Sequence, residues 1–390
     1  MLAKFLAGMV LATAAHAADL TPPEILSLIR TRMAQTLARL PDYTCGETIE
    51  RSVRARGSDQ FEIQDLLRVD VAFLGGRELY AWPGSPRFGD QNILDMVPDG
   101  SIGTGNYGAL GIDVFVTDAA AFTFDGRSVE SGRSQVRFQY RVPLERSKYA
   151  IHFGALGATV SYHGWFTADA GTHDVIAFQI EADEIPRNLD TLKAVEHVEY
   201  ARSRIGAGDY LLPAASETLL VDLAGKTNRN RISFGRCRQY TGESTVTFGE
   251  PGVIPAAGPP LEPPQPLPAG VELRLRLDAP IERGVTAIGD VVTGTITQEV
   301  RQPVAIPKGA RVSLRITRMT TRLRRRDRVE VVAFELLNVN AGGRQYDPVE
   351  ARLERAGGAG LYDGSSNGIS FRSQSLRIPA GLEMTWRTSR

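Results

Sequence analysis

The sequence predicts a mainly β protein, in which an antiparallel curled sheet of the half-barrel type carries one long N-terminal helix and a second, small β-barrel domain follows. Two patterns support this fold class. Several long stretches alternate apolar and polar residues, which is the period of half-buried strands. One segment, Thr21 to Leu40, instead repeats apolar residues every three or four positions, which is the period of an amphipathic helix.

The helix has clear start and stop signals. Thr21 can cap it, Pro22 suits its first turn, and Glu24 follows Thr21 at the spacing of a capping box. Pro41 ends it. Its apolar stripe consists of Ile25, Ile29, Met33, Leu37 and Leu40. Such a stripe needs a sheet to pack against.

The predicted sheet follows the helix directly. Residues 61–73 alternate as a strand, Gly75-Gly76 is a two-residue hairpin turn, and residues 77–82 return. After a loop-rich region, hairpins are predicted at 121–142, 159–185 and 194–223, and a last strand at 229–248. A wide antiparallel sheet that curls round a helix has an apolar concave face.

The predicted hairpin at residues 159–185 has a pattern that is similar to one in a known protein family. A strand that ends in an aromatic residue is followed by Ala168-Asp169, a short turn and an apolar strand. This arrangement, after a signal peptide and an amphipathic helix, resembles the periplasmic lipoprotein-carrier (outer-membrane lipoprotein sorting) fold. The resemblance covers residues 20–249 and implies an open half-barrel that holds acyl chains. Neither the two cysteines nor the loop after Pro83 matches that family.

Residues 1–17 read as a secretory signal. Lys4 is its positive region, residues 5–14 are its apolar core, and Ala15-His16-Ala17 is a cleavage site, with cleavage after Ala17. No later run is long enough to span a bilayer, so no transmembrane segment is expected after cleavage. The predicted location is periplasmic or secreted. In that oxidising compartment Cys45 and Cys237 favour a disulfide, with two buried free thiols as the alternative.

Eight prolines in residues 250–270 predict a semi-rigid linker. The predicted organisation is therefore a signal peptide at 1–17, a half-barrel-like domain at 18–249, this linker, and a small β-barrel domain at 271–390. The chain has zero formal net charge, but residues 271–390 contain 20 Lys+Arg and 13 Asp+Glu, a difference of +7. The whole-chain balance argues against nucleic acid as a partner.

The second domain begins with strict alternation at residues 271–278. The turns Leu267-Pro-Ala-Gly270, Ile306-Pro-Lys-Gly309 and Ile378-Pro-Ala-Gly381 each place a glycine at a strand entrance, as at the corners of small barrels. With Ile288-Gly289-Asp290 between strands, this order resembles the C-terminal β-barrel of conjugation and type IV secretion scaffold proteins. The resemblance covers residues 267–320 and implies an envelope scaffold module.

Motifs for chemistry lack the context that they require. Residues 103–108 fit a dinucleotide-binding pattern without a strand-helix unit, and residues 364–368 fit a serine-hydrolase pattern without a later histidine. The mature chain keeps His152, His163, His173 and His197, none at metal-ligand spacing, so no metal and no cofactor are predicted. The basic run Arg322 to Arg328 reads as a charged hairpin tip or a phosphate-binding patch.

Three functional hypotheses follow. The first is a non-enzymatic envelope protein that binds a lipid or acyl chain or a lipoprotein. Its proposed apolar binding face comprises Phe61, Ile63, Leu67, Val69, Val71, Phe73, Trp82, Trp165 and Phe178. The second is a structural or scaffold envelope protein with protein partners and no small-molecule ligand. The third is a hydrolase that uses the carboxylates of Glu181 and Asp183. The prediction is that the protein is not an enzyme.

Overall fold

A computed structural model of the chain describes residues 20–75, 77–85, 87–89, 93–96, 111–153, 156–240, 263–324, 327–357, 361–363, 367–372 and 376–389. The mainly β prediction, with one long helix and antiparallel curled sheets, is confirmed. The long loop after Pro83 and the linker at 250–270 lie largely outside the described residues. No described helix is long and apolar enough to cross a membrane.

Twelve strands of the described residues precede position 250. They are β1 Tyr43–Arg54, β2 Glu62–Leu74, β3 Arg77–Ala81, β4 Ala121–Glu130, β5 Arg133–Val142, β6 Ala150–Phe153, β7 Leu156–Thr159, β8 Tyr162–Asp169, β9 Val175–Ala182, β10 Thr191–Ile205, β11 Gly208–Asp222 and β12 Thr227–Gln239. Ten of them form one antiparallel sheet in the order β3-β2-β1-β12-β11-β10-β9-β8-β5-β4, and β6 and β7 form a separate hairpin. We refer to the ten strands as the first sheet.

The long helix α1, Pro22–Arg39, covers one face of the first sheet, which we call the inner face. The Thr21 backbone N–H and hydroxyl both donate to the Glu24 carboxylate, so the predicted capping interaction is present. Ile25, Ile29 and Met33 are the buried residues of the helix. Two short helical pieces come between β3 and β4: the single turn α2, Ile93–Met96, and a π-helical turn, Ile112–Val116.

Twelve further strands follow among the described residues after position 262. They are β13 Gln265–Leu267, β14 Glu272–Leu277, β15 Ile281–Glu282, β16 Val291–Ile296, β17 Arg311–Arg324, β18 Asp327–Ala341, β19 Arg344–Pro348, β20 Glu350–Ala356, β21 Leu361–Asp363, β22 Gly368–Arg372, β23 Arg377–Ile378 and β24 Glu383–Ser389. Their main path is β13-β19-β18-β17-β16-β14-β24-β20, with β21 and β22 attached through β18. We refer to this as the second sheet.

Asn367 connects β20, at one end of that path, with β18, the third strand from the other end. Asn367 has a left-handed backbone, with φ at 52°, and its carbonyl accepts from the Phe334 N–H of β18. Its side-chain oxygen accepts from Leu353 N–H in β20 at 3.1 Å, and its side-chain nitrogen donates to the Ala351 carbonyl at 3.1 Å. The second sheet therefore turns back on itself round a core in which Trp386 is fully buried.

The two sheets meet through the segment 287–290. Ile288 pairs in parallel with Leu67 of β2. In this pair the Arg68 N–H donates to the Ile288 carbonyl, and the Ile288 N–H donates to the Leu66 carbonyl. On the other side, Gly289 N–H donates to the Ile316 carbonyl of β17 at 2.8 Å. Asp290 also forms an ion pair with Arg68. One continuous apolar cluster contains residues from both sheets, so the two sheets are packed together.

The predicted disulfide between Cys45 and Cys237 is present. It joins β1 to its neighbour β12 at a register shift between Thr44 and Gly46. Cys45 is buried in the first sheet. The bond links residues 192 positions apart, so it closes nearly the whole chain of the first sheet into one loop.

Candidate functional site: the inner face of the first sheet

The part of the inner face beneath α1 is an aromatic cluster. Phe166 of β8 stacks on Phe138 of β5 with ring centroids 5.4 Å apart, and Tyr140 stacks on Phe178 of β9 at the same separation. Phe115, from the π-helical turn, meets Phe166 edge-on at 4.9 Å. These five side chains are at most 3% exposed. They fill the space between the helix and the sheet.

The helix completes this packing. Ile25, Ile29 and Met33 belong to the same cluster and are also at most 3% exposed. Arg30 fixes the helix to the π-helical turn, because its guanidinium donates to the backbone carbonyls of Phe115 and Thr117. Burial of aromatic and aliphatic side chains at this density is typical of a protein core. An acyl chain could enter this part of the face only if α1 moved away.

A row of polar residues crosses the other half of the inner face. Strand register places Asp65, Arg51, Asn230, Thr218 and Glu196 opposite one another on β2, β1, β12, β11 and β10. All five are less than 8% exposed. Buried polar groups are costly unless they are hydrogen-bonded. The inner face is therefore apolar beneath α1, whereas its other half combines this polar row with the apolar residues Ile49, Leu67 and Val69.

The best-satisfied pair in this row is an ion pair. The Arg51 guanidinium donates to both carboxylate oxygens of Asp65, at 2.7 and 2.6 Å. Bidentate pairs of this geometry are among the strong hydrogen bonds of proteins. In contrast, the Thr218 hydroxyl has no hydrogen-bond partner among the described residues.

Two further carboxyl groups are buried near this polar half. Glu47 lies on β1 between Cys45 and Ile49, is 2% exposed, and has a side-chain oxygen without a hydrogen-bond partner in the described chain. Burial raises the pKa of Glu47 to about 8. Burial likewise raises the pKa of Glu78 to about 9, although the Tyr80 hydroxyl donates to its carboxyl oxygen. Both groups are therefore mainly protonated at neutral pH.

The nine residues of the proposed apolar face lie on several surfaces. Leu67, Val69 and Val71 are buried in the cluster shared by the two sheets, and Phe73 stacks on Tyr43 beside them. Phe178 belongs instead to the separate cluster beneath α1. The structure thus brings four of the nine together and places a fifth on the same face but in a different core.

The remaining four lie elsewhere. Trp165 alternates with the buried Phe166, so it is on the outer face, where it contacts Arg137 and His197. The Phe61 ring lies under the guanidinium groups of Arg54 and Arg229. These are 4.9 and 3.8 Å from the ring centroid.

The last two of the nine lie close to the second sheet. Trp82 contacts the guanidinium of Arg315 in β17. Ile63 is 37% exposed and lies near Gly284. These positions put both residues at the meeting of the two sheets rather than beneath α1.

The carboxylates of the hydrolase hypothesis are each paired with a base. Glu181 forms an ion pair with Lys193 at 2.8 Å, and Asp183 contacts His163 Nδ1 at 2.8 Å and Arg141 at 3.2 Å. A carboxylate neutralised in this way is a poor general acid or nucleophile, because neither its proton nor its charge is free for a substrate. The described residues contain no group of three or more His, Cys, Asp or Glu that could hold a metal ion.

Two of the sequence motifs fall outside the described residues, namely 103–108 and the residues 364–366 of the serine-hydrolase pattern. Asn367 of that second pattern is described and connects β18 with β20. The side chains of residues 322–327 in the basic run are also outside the described part. Arg328 forms an ion pair with the buried Glu330.

The sequence interpretation missed the polar row and Glu47. For Glu47 a signal was available, because Tyr43, Cys45, Ile49 and Arg51 share its alternation and all face inward. The row itself had no local signal, since its five members come from five strands and are brought together only by strand register.

No family model matches this chain, and no curated protein matches it. Among solved structures, similar chains include a DUF1329 family protein from Desulfovibrio piger, with 10% identity and a TM-score of 0.32, covering 58% of this chain and 96% of that one. Another is a domain from Vibrio parahaemolyticus named for outer membrane lipoprotein sorting, with 10% identity and a TM-score of 0.30, covering 56% of this chain and 94% of that one. Similarity at this level establishes no family, so the function has to be argued from the chain's own geometry.

Proposed function

We propose that this protein acts without catalysis, as an exported structural protein of the cell envelope whose inner sheet face is filled by its own helix. The observation that carries the proposal is the packing beneath α1. There the aromatic side chains of the sheet and the apolar stripe of the helix leave each other almost no exposed surface. A face occupied in this way supports a stable platform rather than an open ligand groove.

Two other features support a structural role. The disulfide stabilises the first sheet in an oxidising compartment such as the periplasm. The backbone hydrogen bonds of segment 287–290 hold the second sheet against the first. A protein built in this way would present its outer surfaces to partners in a fixed relative orientation, as a scaffold requires.

The alternative is binding of a lipid or acyl chain on the inner face. The composition of the cluster beneath α1 favours it, because aliphatic and aromatic side chains would solvate such a chain. It requires α1 to leave the sheet and expose that cluster. The Arg30 contacts to Phe115, Thr117 and Asp118 oppose this movement.

Native mass spectrometry of the exported protein distinguishes the two functions. We expect the mass of the polypeptide alone, with no co-purified lipid, and no uptake of a fluorescent fatty acid in solution. The variant Phe178→Ala removes a ring from the cluster and leaves an apolar cavity beneath α1. Because such cavities bind small apolar molecules, this variant serves as a positive control for ligand binding at the site. One lipid per chain in the wild-type protein would overturn the structural proposal.

The structural proposal also predicts a protein partner. The two parts of the chain differ in formal charge, with +7 in residues 271–390 and −7 in residues 1–270. A partner held by charge should be captured at low salt and released as salt screens the contact. Capture that does not change with salt, or a complete absence of capture at low salt, would count against this mode of docking.

A further inference from the structure

A cavity of about 450 Å³ opens between the C-terminal half of α1 and the hairpin of β10 and β11. Four residues of the helix line it: Arg32, Gln35, Thr36 and Arg39. Their spacing of three, four and seven positions places them on one helix face. Arg202 of β10 and Tyr210 of β11 line the opposite side. All six of these side chains carry hydrogen-bonding groups.

One carboxylate orients two of the arginines. Asp174 is 12% exposed and accepts from Arg32 Nε at 3.0 Å. It also accepts from Arg202 Nε at 2.9 Å and from Arg202 Nη2 at 2.7 Å. These contacts fix both guanidinium groups before any ligand arrives. Sites organised in advance bind ligands at a smaller entropic cost.

The charge of the cavity favours an anion. Arg32, Arg39 and Arg202 line the cavity together with one carboxylate, that of Asp209. Asp174 pairs with Arg32 and Arg202 beside it, so the five groups together have a net charge of +1. The hydrogen bonds that Arg202 donates to Asp174 raise the pKa of Arg202, so this residue keeps its charge. Arg39 has no hydrogen-bond or ion-pair partner among the described residues and remains available to a ligand.

The cavity is also larger than a single inorganic ion requires. Its volume falls in the range of about 300–1,000 Å³ that small organic ligands occupy. One wall is apolar, because Leu211 lines it and is 6% exposed. An organic group would pack against this wall while its anionic end met the arginines.

We propose that this cavity binds a phosphate-bearing small molecule, or the phosphate of a lipid headgroup, through Arg32, Arg39 and Arg202. A phosphate offers several acceptor oxygens, which suits convergent guanidinium donors. This inference goes beyond the structural function proposed above, because the site lies at the seam of helix and sheet and does not need the aromatic cluster to open.

Arg39 gives the cleanest test, since it does not take part in the Asp174 contacts. Isothermal titration of the full exported chain with inorganic phosphate and with glycerol phosphate should show saturable binding, tighter for glycerol phosphate. Arg39→Gln should weaken that binding about tenfold. The matched control, Arg301→Gln, removes the same charge from a side chain that is 83% exposed between β16 and β17 and should leave the binding unchanged.

Sedimentation with phosphatidylglycerol vesicles, compared with phosphatidylcholine vesicles, identifies the source of the phosphate. If the protein binds the phosphatidylglycerol vesicles and glycerol phosphate competes with that binding, the ligand is a lipid headgroup. If the protein binds glycerol phosphate but not the vesicles, the ligand is a soluble phosphate ester. Equal binding by Arg39→Gln and the wild-type chain would overturn the proposal. No binding of any probe at millimolar concentration would overturn it as well.

Discussion

The two sheets of this molecule are about the same size but are completed in different ways. The first sheet has ten strands in an open order and fills its inner face with a helix from outside the sheet, while a disulfide ties two of its adjacent strands. The second sheet has no long helix among its described residues, and Asn367 connects its strands β18 and β20. The first sheet therefore depends on the helix and the disulfide, and the second on hydrogen bonds made within itself.

This difference shows where each sheet is vulnerable. The first should be sensitive to loss of its covalent link and to the buried carboxyl groups on its inner face. The second should be sensitive to Asn367, which connects β18 with β20. The segment 287–290 belongs to the second sheet in sequence but adds backbone hydrogen bonds to the first, so its loss should affect both.

The largest effect should come from the disulfide. Replacing Cys45 and Cys237 by alanine should destabilise the first sheet by roughly 4–5 kcal/mol, an upper value from loop-closure entropy for this long loop. Hydrogen exchange measured peptide by peptide should show faster exchange in β1 and β12. Exchange in β16 and β17 should change much less. Equal acceleration in both sheets would contradict the comparison.

Gly289→Ala should have the next largest effect. Gly289 has φ at 97°, and an added Cβ would overlap the carbonyl oxygen of Arg68. We expect a loss of about 2–4 kcal/mol in the free energy of unfolding, measured by chemical denaturation, because strain and overlap both oppose the pairing with β2.

Gly284→Ala is the matched control for this change. Gly284 also has a positive φ, at 77°, but its added Cβ would lie an unstrained 3.6 Å from Ile63. It should cost about 1 kcal/mol. Equal losses for the two variants would show that the junction contributes little.

Asn367→Ala should affect the second sheet alone. It removes two side-chain hydrogen bonds to β20 and should cost about 1–3 kcal/mol. Asn367→Gly is a useful comparison, because glycine accepts the left-handed backbone but makes no side-chain contact. If glycine restored full stability, the backbone conformation and not the hydrogen bonds would be what matters at this position.

The smallest effect concerns Glu47 and depends on pH. Below its ordinary pKa of 4.5 this carboxyl is protonated in both folded and unfolded chains. As pH rises toward about 8, the unfolded chain ionises while the folded carboxyl stays protonated, so stability is progressively lost. Glu47→Met should therefore raise the free energy of unfolding by about 1 kcal/mol more at pH 6 than at pH 5. Denaturation curves at both pH values measure this, and a gain that is the same at both would contradict the raised pKa.

Much of the fold could be predicted because its signals are local. The helix from Pro22 to Arg39 has its cap, its apolar stripe and its terminating proline within twenty or so residues. In the hairpins, apolar and polar residues alternate on both sides of a glycine-rich or polar turn. The pairing of Cys45 with Cys237 followed from their being the chain's two cysteines in a sequence that reads as exported.

The faces and the junction could not be predicted in the same way. Alternation shows that Trp165 and Phe166 point to opposite sides, but both are aromatic, and nothing nearby decides which one is inward. The segment Ile288-Gly289-Asp290 reads as a barrel turn, whereas its partner Arg68 lies 222 residues away. The candidate cavity could likewise be predicted only in part. The polar residues of α1 that line it follow a helical spacing in the sequence, but nothing in the sequence places Arg202 opposite them.

The bond between Cys45 and Cys237 makes the intervening polypeptide a covalent ring. A protease that cuts once within that ring cannot separate the two fragments, so the cleaved molecule keeps its mass on a non-reducing gel and falls into two bands only after reduction.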